Sequence, residues 1–147
     1  MGNELNVYKS ISINASCSKV WDALTNPEIT KQYMYGCEVI SDWKIGSILL
    51  WKGISDGKEM IFVKGNILKI EPEKLLSFTT FDPNMGLKDD ESNYLTLTYE
   101  LSQEGDGTQL SVTQGDYSKV ENSDKRLQDT LNGWNFVLPK LKEILEK

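Results

Sequence analysis

The segment Leu127-Gln128-Asp129-Thr130-Leu131-Asn132-Gly133-Trp134-Asn135-Phe136-Val137-Leu138-Pro139-Lys140-Leu141-Lys142-Glu143-Ile144-Leu145 decides the fold. Leu127, Leu131, Trp134, Leu138, Leu141 and Leu145 recur at alternating steps of four and three, one continuous apolar stripe on an α-helix. Such a stripe can also be a coiled-coil seam. Charges at the flanking positions are sparse and the run is short, so the expected partner is the apolar face of a sheet. Gly133 and Pro139 sit inside the stripe. A helix-interior glycine costs about 1 kcal/mol relative to alanine. Proline removes the hydrogen bond to the carbonyl of Asn135, at about 3 kcal/mol if nothing compensates. A kink is expected between them, beside Trp134, the bulkiest side chain of the helix.

A sheet is legible upstream. From Gly36 to Tyr117 the apolar period is two. Candidate strands are Cys37 to Ser41, Ser47 to Lys52, Met60 to Ile70, Leu75 to Phe81, Tyr94 to Ser102 and Gln109 to Asp116. Turn signals separate them: Lys44-Ile45-Gly46, Ser55-Asp56-Gly57, Glu71-Pro72-Glu73, Asp82-Pro83-Asn84-Met85-Gly86 and Glu104-Gly105-Asp106-Gly107. Leu5 to Ile13 adds a strand whose apolar face, Val7, Ile11 and Ile13, is interrupted by Lys9, as suits an edge. That makes about seven strands, and their short loops imply antiparallel pairing. Ile61, Val63 and Ile67 share one apolar face, Leu76 and Phe78 another, and Leu95, Leu97, Tyr99 and Leu101 a third. Polar residues fill the opposite sides, so one face of the sheet is buried and one solvated. Between the first two strands lie two short helices. Ser16 is placed to cap the first, Asn26 and Pro27 start the second, and Ile29, Tyr33 and Met34 form the second helix's apolar face. The expected architecture is α+β: a curved antiparallel sheet wrapped around the C-terminal helix, with an apolar pocket between them.

Composition narrows the function. With 147 residues, 39% apolar and 26% charged, the chain is expected to form a single domain over residues 1–147. A net charge of −6 argues against nucleic acid, whose backbone needs clustered Lys and Arg. No apolar run approaches a membrane span, and Met1-Gly2-Asn3-Glu4-Leu5-Asn6 lacks the features of a signal peptide. Asn6 stands where a myristoylation motif wants Ser or Thr. A soluble, cytoplasmic protein is expected. There is no histidine, and Cys17 and Cys37 are the only cysteines, so no Cys/His zinc site can be assembled within one chain; both thiols are expected to be reduced, a disulfide between them requiring a fold that brings their Cα atoms close. Phosphate loops, dinucleotide fingerprints and nucleophile elbows are missing, so no metal, cofactor or catalytic residue is assigned. Lys88-Asp89-Asp90-Glu91 reads as a solvated loop.

The order of elements resembles the helix-grip fold of the START-like superfamily, also called SRPBCC, over nearly the whole chain. Four local segments resemble bacterial relatives of the activator of the heat-shock-protein-90 ATPase: Val20-Trp21-Asp22-Ala23-Leu24-Thr25-Asn26-Pro27-Glu28, Gly46-Ser47-Ile48-Leu49-Leu50-Trp51, Gly65-Asn66-Ile67-Leu68-Lys69-Ile70-Glu71-Pro72-Glu73-Lys74-Leu75, and Gly133-Trp134 followed by Leu138, Leu141 and Leu145. Tyr33 stands where that family often has Trp, and Pro139 is unusual in its last helix. Either residue is a candidate to line the pocket.

In such a fold Trp51, Phe78, Tyr99 and Trp134 point into the gap between sheet and helix, where they either fill it or line a cavity. Val63, Leu97 and Leu138 complete the expected ligand-cavity wall, and Tyr33, Thr80 and Gln114 are its polar candidates. The resemblance implies three functions. The first is binding of a small lipophilic molecule. The second is a chaperone- or stress-related module with a protein partner. The eukaryotic members carry a further domain that this chain is too short to hold, so ATPase activation itself is set aside. The third, by superfamily analogy, is a cyclase- or hydrolase-like enzyme working without histidine. A monomer or homodimer is expected.

Overall fold

Local turn chemistry sets the strand order. Asp56 and Gly57 both adopt positive φ, 52° and 77°, and form a two-residue hairpin loop that sets Ser55 opposite Lys58. Gly105, at φ 59°, turns the last hairpin. The computed structural model describes residues 6–84, 88–90, 93–120 and 123–146. The readings made for the first five residues, for Met85 and Gly86 and for Glu91 lie outside the described residues.

The elements are β1 (Val7–Ile13), α1 (Cys17–Thr25), α2 (Pro27–Tyr33), β2 (Glu38–Ser41), β3 (Ile48–Ser55), β4 (Lys58–Glu71), β5 (Leu75–Thr80), β6 (Leu95–Glu104) and β7 (Gly107–Gly115). A 3-10 turn (Tyr117–Lys119) then leads to α3 (Ser123–Leu145). The strands form one antiparallel sheet in the order β1-β7-β6-β5-β4-β3-β2. β1 is an edge strand, as Lys9 implied.

The caps form as their sequences dictate. Ser16 Oγ accepts from the Lys19 amide at 3.2 Å. Asn26 ends α1 and starts α2: its N–H donates to the Asp22 carbonyl at 2.8 Å, and its Oδ1 accepts from the Glu28 amide at 3.0 Å. Pro27 occupies the first helical position.

The buried face holds Val7 and Ile13 of β1, Leu49 of β3, Ile67 of β4, Leu76 and Phe78 of β5, the Leu95-Leu97-Tyr99-Leu101 row of β6, and Leu110 and Val112 of β7. Two irregularities break the alternation in and beside β4. One lies between Trp51 and Lys52, where Trp51 pairs with Val63 and Lys52 with Ile61, leaving Phe62 as the extra residue. The other lies between Ile67 and Lys69, leaving Leu68 extra. Bulges bend and twist a strand, which curves this sheet around its helix. They also correct one expectation. Ile61 does not share the inner face with Val63 and Ile67; the extra residue shifts the register, and Phe62 packs against the core instead.

α3 runs unbroken through Gly133 and Pro139 and buries Trp134, Val137, Leu138 and Leu141. Leu127, Leu131 and Leu145 are half-buried against the same core, so the stripe faces this chain's own interior. Pro139 is exposed, on the side of α3 away from the pocket it was expected to line. The C-terminal turn of α3 is fastened to the end of β1: Lys142 Nζ donates to the Ser12 carbonyl at 2.7 Å, and the Asn14 amide donates to Glu146 Oε2 at 2.8 Å. The result is the α+β helix-grip arrangement, an open seven-stranded sheet holding a long C-terminal helix.

Candidate functional site

The four rings singled out from the sequence form one chain across the molecule. Trp51 on β3 meets Phe78 on β5 edge-on at 6.1 Å between centroids, and Phe78 meets Tyr99 on β6 at 6.1 Å. Tyr99 meets Trp134 on α3 at 6.0 Å and 89°. Edge-to-face rings at such distances attract through their quadrupoles. The middle of this chain is packed solid. Tyr33, Phe78 and Tyr99 border a void of only about 10 Å³, too small for a ligand. Leu97 and Leu138 are fully enclosed core residues. These five therefore hold the floor rather than an open wall.

Open space lies at the ends of the ring chain, between β3, β4 and α3. A cleft of about 470 Å³ is bordered by Trp51 and Val63, by the bulged Phe62, by Gln114, and by Trp134 and Val137 of α3. A second lobe of about 300 Å³ adjoins it through the shared Trp51, Val63, Asp82, Gln114 and Thr130. Thr80, Tyr117, Arg126, Asp82 and Asp129 give that lobe a polar wall. The first lobe is mainly apolar and the second is the more polar of the two, a division the sequence did not suggest.

A hydrogen-bond relay crosses between the lobes. Trp134 Nε1 donates to Gln114 Oε1 at 3.0 Å, Gln114 Nε2 donates to Thr80 Oγ1 at 3.4 Å, and Thr80 Oγ1 donates to the Leu95 carbonyl at 3.4 Å. This relay fixes the indole on the cleft side of α3. Tyr33, the third polar candidate, stands apart: its hydroxyl donates to the Ala23 carbonyl at 2.6 Å and ties α2 to α1. Its environment is structural, not part of the open lobes.

Burial pushes the Tyr33 phenol well above the ordinary tyrosine range, with Tyr99 adding to the effect, and burial also raises Tyr99. The pH consequence follows from linkage. Below about pH 10 these phenols are protonated in both folded and unfolded chains. Above it the unfolded chain ionises while Tyr33 and Tyr99 stay neutral, so unfolding releases protons and stability falls as pH rises. Titrated upward, the protein should show tyrosinate absorbance from these two residues only in step with loss of its circular-dichroism signal. Tyr33→Phe should shrink that late step; phenolate forming at Tyr33 in the folded state would refute the assignment. Tyr117 is raised by burial too, opposed by its hydrogen bond with Thr130 and by the nearby Arg126 charge.

The residues missed from the sequence are Phe62 and Arg126. Phe62 reaches the cleft only because of the bulge. Arg126 had a usable signal. It is the one arginine of the chain, and it precedes Thr130, Gly133 and Val137 by four, seven and eleven residues, which sets all four on one face of α3 beside the leucine stripe. Cys17 and Cys37 are free, with burial raising the Cys37 thiol. Among the described residues no group of acidic or cysteine side chains is placed to hold a metal ion. Among them, too, no helix is long and apolar enough to cross a membrane.

Comparison with known proteins agrees with this architecture. ChR145 from Cytophaga hutchinsonii, known from a solution structure, is 37% identical, with a TM-score of 0.80 over 99% of this chain and 97% of its own. The Aha1 dimer from Colwellia psychrerythraea shares the fold at 22% identity and TM-score 0.73, over 97% of this chain and 96% of that one. CalU16 from Micromonospora echinospora does so at 21% identity and TM-score 0.73, over 98% of this chain and 78% of that one. No curated protein sequence matches the chain. The model of the Activator of Hsp90 ATPase homolog 1-like proteins matches residues 14–146, from the loop after β1 to the end of α3, and the chain belongs to that family.

Proposed function

We propose that the cleft between β3, β4 and α3 binds a small lipophilic molecule. The observation that carries this reading is the apolar lobe of about 470 Å³, a volume within the range of small-molecule sites, walled by Trp51, Phe62, Val63, Trp134 and Val137. A polar group of the guest would meet Gln114 or Thr80 in the adjoining lobe. Trp51, Val63, Thr80, Gln114 and Trp134 are the contacts proposed from the original candidates; Tyr33, Phe78, Leu97, Tyr99 and Leu138 support them from below.

Gly133 supplies the test. It borders the apolar lobe, and a Cβ placed there meets only the Tyr35 hydroxyl, at 3.7 Å, an ordinary contact. Alanine should therefore fit and stabilise the helix by about 0.5–1 kcal/mol. Phenylalanine should project into the lobe and occupy it. The neutral dye N-phenyl-1-naphthylamine is expected to fluoresce with the wild-type protein and with Gly133→Ala. Gly133→Phe should weaken that binding by about tenfold or more while thermal unfolding stays cooperative. Equal dye binding in Gly133→Phe would place the dye elsewhere and remove the basis for this reading.

A further inference from the structure

The more polar lobe contains a side chain that nothing among the described residues explains. Arg126 is 6% exposed, and its Nη1 has no hydrogen-bond partner among the described residues. Buried guanidinium groups are ordinarily paired, because a desolvated charge without a partner is strongly disfavoured. The position makes matters worse. Arg126 lies in the first turn of α3, where the exposed amides already favour negative charge and disfavour a cation. The other 15 basic residues of the chain are all lysine. The one planar, forked donor has been placed where its charge is costly, on the wall of an open lobe.

Resting on the lipophilic-cleft reading, we infer that Arg126 receives the carboxylate of an amphipathic acid whose apolar body lies along Trp51, Val63 and Trp134. The guanidinium fork matches a carboxylate, and the first turn of α3 reinforces it. Asp82 and Asp129 border the same lobe. Asp129 is paired with Lys125 at 2.9 Å, and Asp82 accepts the Asn84 amide at 2.8 Å. Their charges make the lobe hostile to a dianion such as phosphate, so a single negative charge fits best. The apolar lobe next door requires a hydrocarbon or aromatic body attached to it.

The test compares decanoate with decanol and decanamide by titration calorimetry, with N-phenyl-1-naphthylamine as the neutral control. Decanoate should bind at least about tenfold more tightly than either neutral analogue. Because the chain has one arginine, its side-chain Nε–H gives a single NMR signal of that type. That signal should move on adding decanoate to the unmodified protein and stay still with decanol. In Arg126→Gln the preference for the acid should fall to parity. If acid and alcohol bind alike and the arginine signal does not move, the carboxylate assignment is overturned and the cleft reading stands. The same holds if the dye enters but decanoate does not bind. If neither the dye nor any of the three decyl compounds binds, the cleft reading is overturned and the assignment with it.

Discussion

Replacing Gly65 with alanine should be the most damaging single-methyl change in this protein, costing more than about 4 kcal/mol. An added Cβ would lie 1.6 Å from the Thr79 carbonyl oxygen and 2.4 Å from its carbon. These are main-chain atoms, and two neighbouring contacts pin them. Lys64 and Phe81 exchange amide–carbonyl bonds at 2.9 and 2.8 Å on one side, and the Asn66 amide donates to Thr79 Oγ1 at 2.9 Å on the other. β4 and β5 can make room only by separating there, beside Phe78 and Thr80. Against a total stability of about 5–15 kcal/mol, such a loss leaves little folded protein. Gly57→Ala is the control: nothing lies within 4 Å of its Cβ, and only the positive φ of 77° opposes it, at about 1–2 kcal/mol. Urea unfolding followed by tryptophan fluorescence measures both. A Gly65→Ala midpoint as high as that of Gly57→Ala would mean the strands do not approach this closely.

Trp134→Ala is the second large effect. The indole is 5% exposed, packs edge-on against Tyr99 and donates to Gln114. Removing it should cost about 3–5 kcal/mol, through lost burial and the cavity left behind. The Gln114 oxygen would then open onto the enlarged cleft. Trp134→Phe keeps most of the ring and loses the N–H, so about 1–2 kcal/mol is expected. A Trp134→Ala loss below that of Trp134→Phe would show that the indole fills no essential space. The two variants also read the cleft: the alanine form should admit bulkier neutral dyes than the wild type.

Periodicity made most of the framework legible before any coordinates. The steps from Leu127 to Leu145 gave α3, alternation gave the strands, and Ser16, Asn26 and Pro27 gave both short helices their starts. Alternation states which way a side chain faces and is silent about how much room it finds. Phe78 and Trp51 therefore looked equivalent, although one is sealed in the floor and the other borders open space. The difference depends on curvature, and curvature depends on the extra residues at Phe62 and Leu68, which interrupt the period that makes strands readable. Arg126 was overlooked for another reason. A charge that directly follows Asp124 and Lys125 at a helix start reads as surface, and only the position of Val137, Gly133 and Thr130 on the same side reveals that it faces inward.

The pairing of β1 with β7 bears on how the protein is made. The Thr108 hydroxyl on β7 donates to the Ala15 carbonyl just past β1, 93 positions earlier in the chain, and the neighbouring ladder spans comparable distances. A ribosome delivers β1 long before β7 exists. Of the seven strands β1 is made first, and it must wait, with its β7-facing edge open, until the other six have been translated. Lys9, midway along it, is then more than an edge decoration: a charge at that point discourages a waiting strand from joining another nascent chain before its own partner arrives.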